Sequence, residues 1–169
     1  GGGGIGMKRV DDPAALAETV EATENMAEKA FGDGTVYLEK LIEHPRHIEI
    51  QLFGFGGGKA VHFFERECSI QRRFQKIVEE SPAPSLAAET RDAMANAAVT
   101  LAKQEYYQGA GTIEFIMAPD GNFYFLEMNT RIQVEHPATE MITEADLVGL
   151  QLRLARGDDL SGITQDSIV

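Results

Sequence analysis

The sequence predicts an α+β fold, with a few helices set among antiparallel hairpins. Three observations predict it. HIEIQLFGF (47–55) alternates apolar and polar residues as a strand does. Two turn signals, GFGGGK and Pro119-Asp120-Gly121, each join a pair of apolar runs. Two other stretches repeat apolar residues at helical spacing.

The elements follow in order. Asp12-Pro13 supplies an N-cap and a first-turn proline for a helix reaching about Phe31, which Gly32 stops. TVYLEKLI (35–42) reads as a short strand. In 47–55, Ile48, Ile50 and Leu52 oppose His47, Glu49 and Gln51, which predicts a half-buried strand. The glycine turn leads into AVHFFERE (60–67). QRRFQKIVEE (71–80) mixes basic and apolar residues, and SPAPS interrupts the chain. Met94, Ala98, Leu101 and Ala102 stripe a helix ending near Tyr106. TIEFIMA and NFYFLEMN then form a hairpin whose second strand is expected to be buried. A last helix, roughly 144–156, sets Leu147, Leu150 and Leu154 on one side and ends at Gly157.

At 169 residues and 43% hydrophobic, the chain is long enough for one packed domain or slightly more. Its formal charge of −12 argues against nucleic acid or an anionic membrane as partner. A local basic cluster can still receive a small anion. The single Cys68 allows no internal disulfide and points to a reducing, cytoplasmic setting. No apolar run approaches the ~20 residues of a membrane helix. Because the chain opens on a glycine run and not on Met, it is expected to be a piece of a longer protein.

The hairpin concentrates charge where a strand should avoid it. A loop centred on Asp120-Gly121 sets Glu114 opposite Glu127 and Thr112 opposite Asn129, with facing Cβ atoms about 5 Å apart. Two carboxylates so placed repel unless one is protonated or a cation lies between them. Two carboxylates and a carboxamide are oxygen ligands that Mg²⁺ accepts, phosphate oxygens completing its shell. The alternative is a solvated acidic strand face. On this register, the apolar residues at 113, 115, 124, 126 and 128 point the other way, into a core.

Other residues carry two readings each. Gly1 to Gly4 and Gly6 could wrap a phosphate with backbone N–H groups, or form a plain linker. Lys76, before Ile77-Val78, is placed to aim a charge at an anion, whereas Arg72 and Arg73 fit a solvated surface. Arg131 could grip a carboxylate-like or phosphate-like anion, or neutralise Glu135. His136-Pro137 reads as a structural turn, Cys68 as a small buried hydrophobe, and Met7-Lys8 is not a biotin attachment signal.

The strings LIEHPRHIEIQ, ERECSIQRRFQKIVEESPAP, GAGTIEFI and FLEMNTRIQVEHPATEMIT resemble the ATP-grasp portion of biotin carboxylase, over essentially the whole chain. The resemblance implies an antiparallel ATP-grasp sheet flanked by helices. Residues 1–41 would be part of a glycine-loop lid, 42–157 the large subdomain, and 158–169 the start of the following region. It implies that ATP, Mg²⁺ (or Mn²⁺) and bicarbonate give carboxyphosphate, whose CO₂ is captured by biotin on a carrier protein. By position, Glu114, Glu127 and Asn129 would hold the metal, and Gly3 and Gly4 would cover the phosphates. Glu39, Lys40, Leu41 and Ile42 would meet the adenine, with His47 and Gln71 near the ribose. Lys76, Arg131, Gln133 and the Val134 backbone would hold bicarbonate, Glu135 being the base.

The implied partners are a biotin carboxyl carrier protein or domain, a carboxyltransferase component and a second copy of the enzyme. One departure stands out: where the family carries His after QRR, this chain has Phe74. A lysine expected before the glycine loop and an arginine expected beyond Val169 lie outside the sequence, so residues 1–169 alone are expected to turn over poorly. A different ATP-grasp carboxylate-activating ligase, or a degenerate nucleotide-binding module, are the competing readings.

Overall fold

The structure, a computed structural model, describes residues 6–168. The chain divides into two compact units, Gly1–Glu43 with Gln71–Gln75, and His44–Ile70 with Lys76–Val169.

In the first unit the Asp12 side chain accepts from Ala14 N–H and opens a short 3₁₀ turn, Pro13–Ala15. Helix α1 (Leu16–Phe31) follows and ends where Gly32 takes a left-handed φ of 72°, the conformation glycine adopts at no steric cost. The expected strand at 35–42 is not formed: these residues have no ladder partner, and Tyr37, Leu38 and Leu41 are exposed. β-prone side chains alone do not make a strand without a neighbour to receive their N–H and C=O groups.

The sheet has five strands in the order β3-β2-β1-β4-β5. They are β1 (Arg46–Gly56), β2 (Lys59–Arg72), β3 (Gln75–Glu80), β4 (Gln108–Met117) and β5 (Phe123–Asn129). β1 pairs antiparallel with both β2 and β4. Helix α2 (Ala88–Gln104) covers one face through Met94, Ala95, Ala98 and Ala102, against Ile48, Ile50, Leu52, Ile113 and Phe115. On the opposite face, Phe53, Phe63 and Ala110 pack with Leu147 and Leu150 of helix α4 (Leu147–Arg156). Helix α3 (His136–Thr143) precedes α4, so His136-Pro137 begins a helix instead of making a free-standing turn. α4 starts at Leu147, later than expected, because the Asp146 side chain accepts from Gly149 N–H and caps it there.

Three expectations about burial change. β1 is buried on both faces, Glu49 and Gln51 included, because it is the central strand. β5 is an edge strand, with Tyr124, Phe125 and Leu126 exposed by 44%, 57% and 41%. The hairpin register also arises differently. Ala118 N–H donates to Asn122 O, which closes a three-residue loop, and a bulge between Glu114 and Phe115 then restores the predicted pairing. Beyond that bulge Phe125, not Leu126, opposes Phe115, and Tyr124 opposes Ile116. The side-chain period of two is broken once, so 124 and 126 do not reach the core.

Candidate active site

The site lies on the sheet face turned away from α2, where the strand alternation delivers His47, Glu49 and Gln51 of β1. Glu49 pairs with Glu114 across β4 and with Arg66 across β2. Glu114 pairs with Glu127, and Thr112 with Asn129. Four strands thus bring three acids and their counter-charges onto one surface. Their carboxylates can share that surface only because cations and amides sit between them.

Lys76 is the main counter-charge. Its Nζ donates to Glu114 Oε1 at 2.8 Å and Glu135 Oε1 at 3.3 Å, and also to Glu49. Burial works against the ammonium, yet Glu49 foremost among the acids holds its proton well above the usual lysine range. Glu114 is buried and surrounded by donors. His47 Nε2 lies 2.6 Å from its Oε2, while Asn129 Nδ2 (2.9 Å) and Gln133 Nε2 (3.3 Å) reach its Oε1. Although burial opposes ionisation, hydrogen bonds from His47 and Lys76 hold its carboxyl down to about 2.

Asn129 lies between the two facing acids, donating also to Glu127 Oε1 at 3.4 Å. A half-turn of this amide presents its Oδ1 beside the two carboxylates, an all-oxygen set of the kind Mg²⁺ takes. These residues therefore fit a divalent ion. Arg131 donates to Asn129 Oδ1 at 3.4 Å and to Ile132 O at 3.2 Å. Among the described residues Glu135 takes its ion pair from Lys76 and not from Arg131. Gln133 is buried, Val134 is exposed, and both sit in the loop between β5 and α3.

Other named residues lie elsewhere. Glu39, Lys40 and Leu41 are exposed and Ile42 is half-buried, all in the first compact unit, as is Gln71. Gly3 and Gly4 fall outside the described residues. Phe74 is exposed in the β2–β3 turn, with Arg73 and Phe74 at φ of 51° and 65°. Cys68 is fully buried, its thiol pushed up by burial and by Glu49.

Three residues were missed from the sequence: Glu49, expected only on the polar side of a half-buried strand, Arg66 and Glu79. Arg66 is wholly buried and donates into the site. Glu79 of β3 brings a carboxylate oxygen into one group with oxygens of Glu49 and Glu135, all within 4.8 Å of one another. Its Oε2 is buried with no hydrogen-bond partner. Burial, then Glu135 and Glu49, push this carboxyl up to about 7 against the pull of Lys76 and Arg66. The only signal for each was a charged residue within an apolar alternation, ambiguous without its cross-strand neighbours.

The sheet with its flanking helices and the acid-lined face define the ATP-grasp class. Its likeness to the biotin carboxylase from Campylobacter jejuni, solved with a β,γ-ATP ligand, has a TM-score of 0.93 at 46% identity. That match covers 99% of this chain and 37% of the other. The chain belongs to the family described as the carbamoyl-phosphate synthase L chain, ATP binding domain, which matches residues 1–163. Within it, the chain is 54% identical to biotin carboxylase 2 of Bacillus subtilis over 166 residues, 98% of this chain and 37% of that one. It is also similar to the biotin carboxylase domain dimer of the Hydrogenobacter thermophilus 2-oxoglutarate carboxylase, solved with MgADP, ADP and bicarbonate (TM-score 0.91, 49% identity). There too the chain is covered to 99%, and the solved chain to 37%. The chain therefore spans little more than a third of these relatives.

Proposed function

We propose that this chain carries most of the chemistry of a biotin carboxylase, the half-reaction that carboxylates biotin with bicarbonate at the expense of ATP. The observation that carries the reading is Lys76, whose one ammonium joins the metal-candidate acid Glu114 to the base-candidate Glu135. An anion entering between them would displace carboxylates from the ammonium and leave Glu135 free to accept a proton.

Glu114, Glu127 and Asn129 would hold Mg²⁺ (or Mn²⁺), which when bound neutralises phosphate charge. Lys76, Arg131, Gln133 and the Val134 N–H would orient bicarbonate. Glu135 would take the bicarbonate O–H proton as the freed oxygen attacks the γ-phosphorus of ATP. The bond from that phosphorus to the β–γ bridging oxygen breaks, giving ADP and carboxyphosphate. Arg131 and Lys76 would stabilise the trianionic product, which releases CO₂ and phosphate; the phosphate would then take the N1 proton of biotin as CO₂ bonds to that nitrogen.

Gly3 and Gly4 would close over the phosphates, and Glu39 to Ile42 with Gln71 would receive the nucleoside. His47, held on Glu114, would tune the metal site as well as border the ribose. We assign 1–41 to the lid, 42–157 to the large subdomain and 158–169 to the next region. The dimer and bicarbonate reported for the Hydrogenobacter domain support a homodimer and that substrate here. A biotin carrier, a carboxyltransferase component and a cytoplasmic setting complete the proposal.

The test is phosphate release by the full-length protein with ATP, Mg²⁺, bicarbonate and free biotin. Glu135→Gln should lower kcat about 10²- to 10⁴-fold while leaving ATP binding in place. Turnover with no need for bicarbonate would overturn the assignment and favour another carboxylate-activating ligase.

A further inference from the structure

Arg66 makes five side-chain hydrogen bonds, yet it faces no solvent and lies at none of the positions assigned above. It stands on β2, and all five of its N–H donors' partners come from other elements. Nε donates to Glu49 Oε1 at 2.6 Å; Nη1 donates to Gln51 Oε1 and Thr139 Oγ1, each at 2.8 Å. Nη2 donates to Gln133 Oε1 at 3.2 Å and, more loosely, to Thr112 Oγ1 at 3.4 Å. Glu79 Oε2 lies 3.9 Å from Nε.

The pattern of partners has a direction. Gln133 lies in the middle of the loop that carries Arg131, Val134 and Glu135, and Thr139 lies on α3 just after it. One guanidinium thus ties both Gln133 of the loop and Thr139 of α3 to the sheet, beside the bonds of Gln133 to Glu114 and of Lys76 to Glu135. Glu49, its other strong partner, also accepts from Lys76. Every anion-facing group on this side of the site is therefore one hydrogen bond from a partner of Arg66, or carried on the loop it fastens. A buried guanidinium with all donors used is rigid, and lysine cannot reproduce its planar fork.

We propose that Arg66 is a positioning residue for the bicarbonate end of the site, holding loop 131–135 and, through Glu49, Lys76 in binding geometry. The inference rests on the bicarbonate reading given above for its kinetic consequence, but not for its structural one.

The experiment uses the full-length protein with Arg66→Lys and Thr139→Val, read by amide hydrogen exchange and by steady-state kinetics. Arg66→Lys should speed exchange of the 131–135 amides about tenfold with the β1 and β4 amides still protected, the loss expected for charge-assisted hydrogen bonds. In kinetics it should raise the KM for bicarbonate about tenfold while the KM for ATP stays within about twofold. Unchanged exchange at 131–135, or equal changes in both KM values, overturns the proposal. If Arg66→Lys does not fold, Thr139→Val decides by the same readings, with a several-fold effect expected and no effect overturning it. If the wild type needs no bicarbonate, the functional reading fails, and exchange alone still decides the role of Arg66.

Discussion

Glu79 shows how much a single residue depends on its neighbours. A glutamate in KIVEE on an edge strand would ordinarily be ionised and solvated. Here Glu135 and Glu49 crowd it, while Lys76 is already committed to Glu49, Glu114 and Glu135. Its carboxyl is raised from an ordinary 4.5 to about 7, so the folded chain binds that proton more tightly than the unfolded chain. The resulting stabilisation is whole below about pH 4.5 and is lost as pH rises through about 7. Glu79→Gln, which keeps the shape of the protonated acid, should therefore melt higher than the wild type at pH 8, with the gap closing by pH 5.5. Parallel melting curves across that range would show that Glu79 does not titrate there.

At the scale of elements, close backbone approaches and bulges govern which side chains reach the site. Gly54 of β1 sits where a Cβ would lie 2.2 Å from Tyr107 O, just before β4. Gly54→Ala must push the two backbones apart, so it should cost about 1–3 kcal/mol in urea unfolding, with an unchanged m-value. A bulge in β2 matters more. Its register with β1 shifts between Ile50 and Leu52, where Phe64 takes a φ of 61°. As a result Phe63 and Arg66 occupy the same face of the sheet, against plain alternation. Without that extra residue Arg66 would point toward α2 and Glu65 toward the site. Instead Glu65 takes the α2 side, where Arg91 Nε donates to it at 2.8 Å.

For the molecule as a whole, one side of the sheet carries only packing against α2, while the other carries both the second core under α4 and the site. The α2 face is a conventional apolar core, with Met94 fully buried among Ile48, Ile50 and Phe115. Met94→Ala should lose about 2–5 kcal/mol, and about 2–4 °C of Tm for each kcal/mol, through the cavity it leaves. Because that core lies on the sheet face opposite the acid-lined one, the KM for bicarbonate should not move in this variant. A bicarbonate KM that rises with the loss of stability would show that the two faces are coupled.

Much of this arrangement was readable in advance. Turn chemistry, caps and periodicity located the hairpins at 47–67 and 112–129 and the helices α1, α2 and α4, but not α3 or β3. The pairing of Glu114 with Glu127 followed from counting outward from Pro119-Asp120-Gly121, even though a three-residue loop and a bulge produced it. The crowding of Glu127, Asn129, Arg131 and Glu135 after one strand was equally plain, whereas the grouping of Lys76 and Gln133 with them came only from the family resemblance. Such features are local, set by φ preferences and by spacing along the chain. The side of the sheet that Arg66 faces, the burial of Glu49 and Gln51, the raised carboxyl of Glu79 and the exposure of β5 were decided only by tertiary structure. They depend on strand order and on bulges, which arise from hydrogen bonds between residues far apart in sequence, and a single added residue reverses every face beyond it.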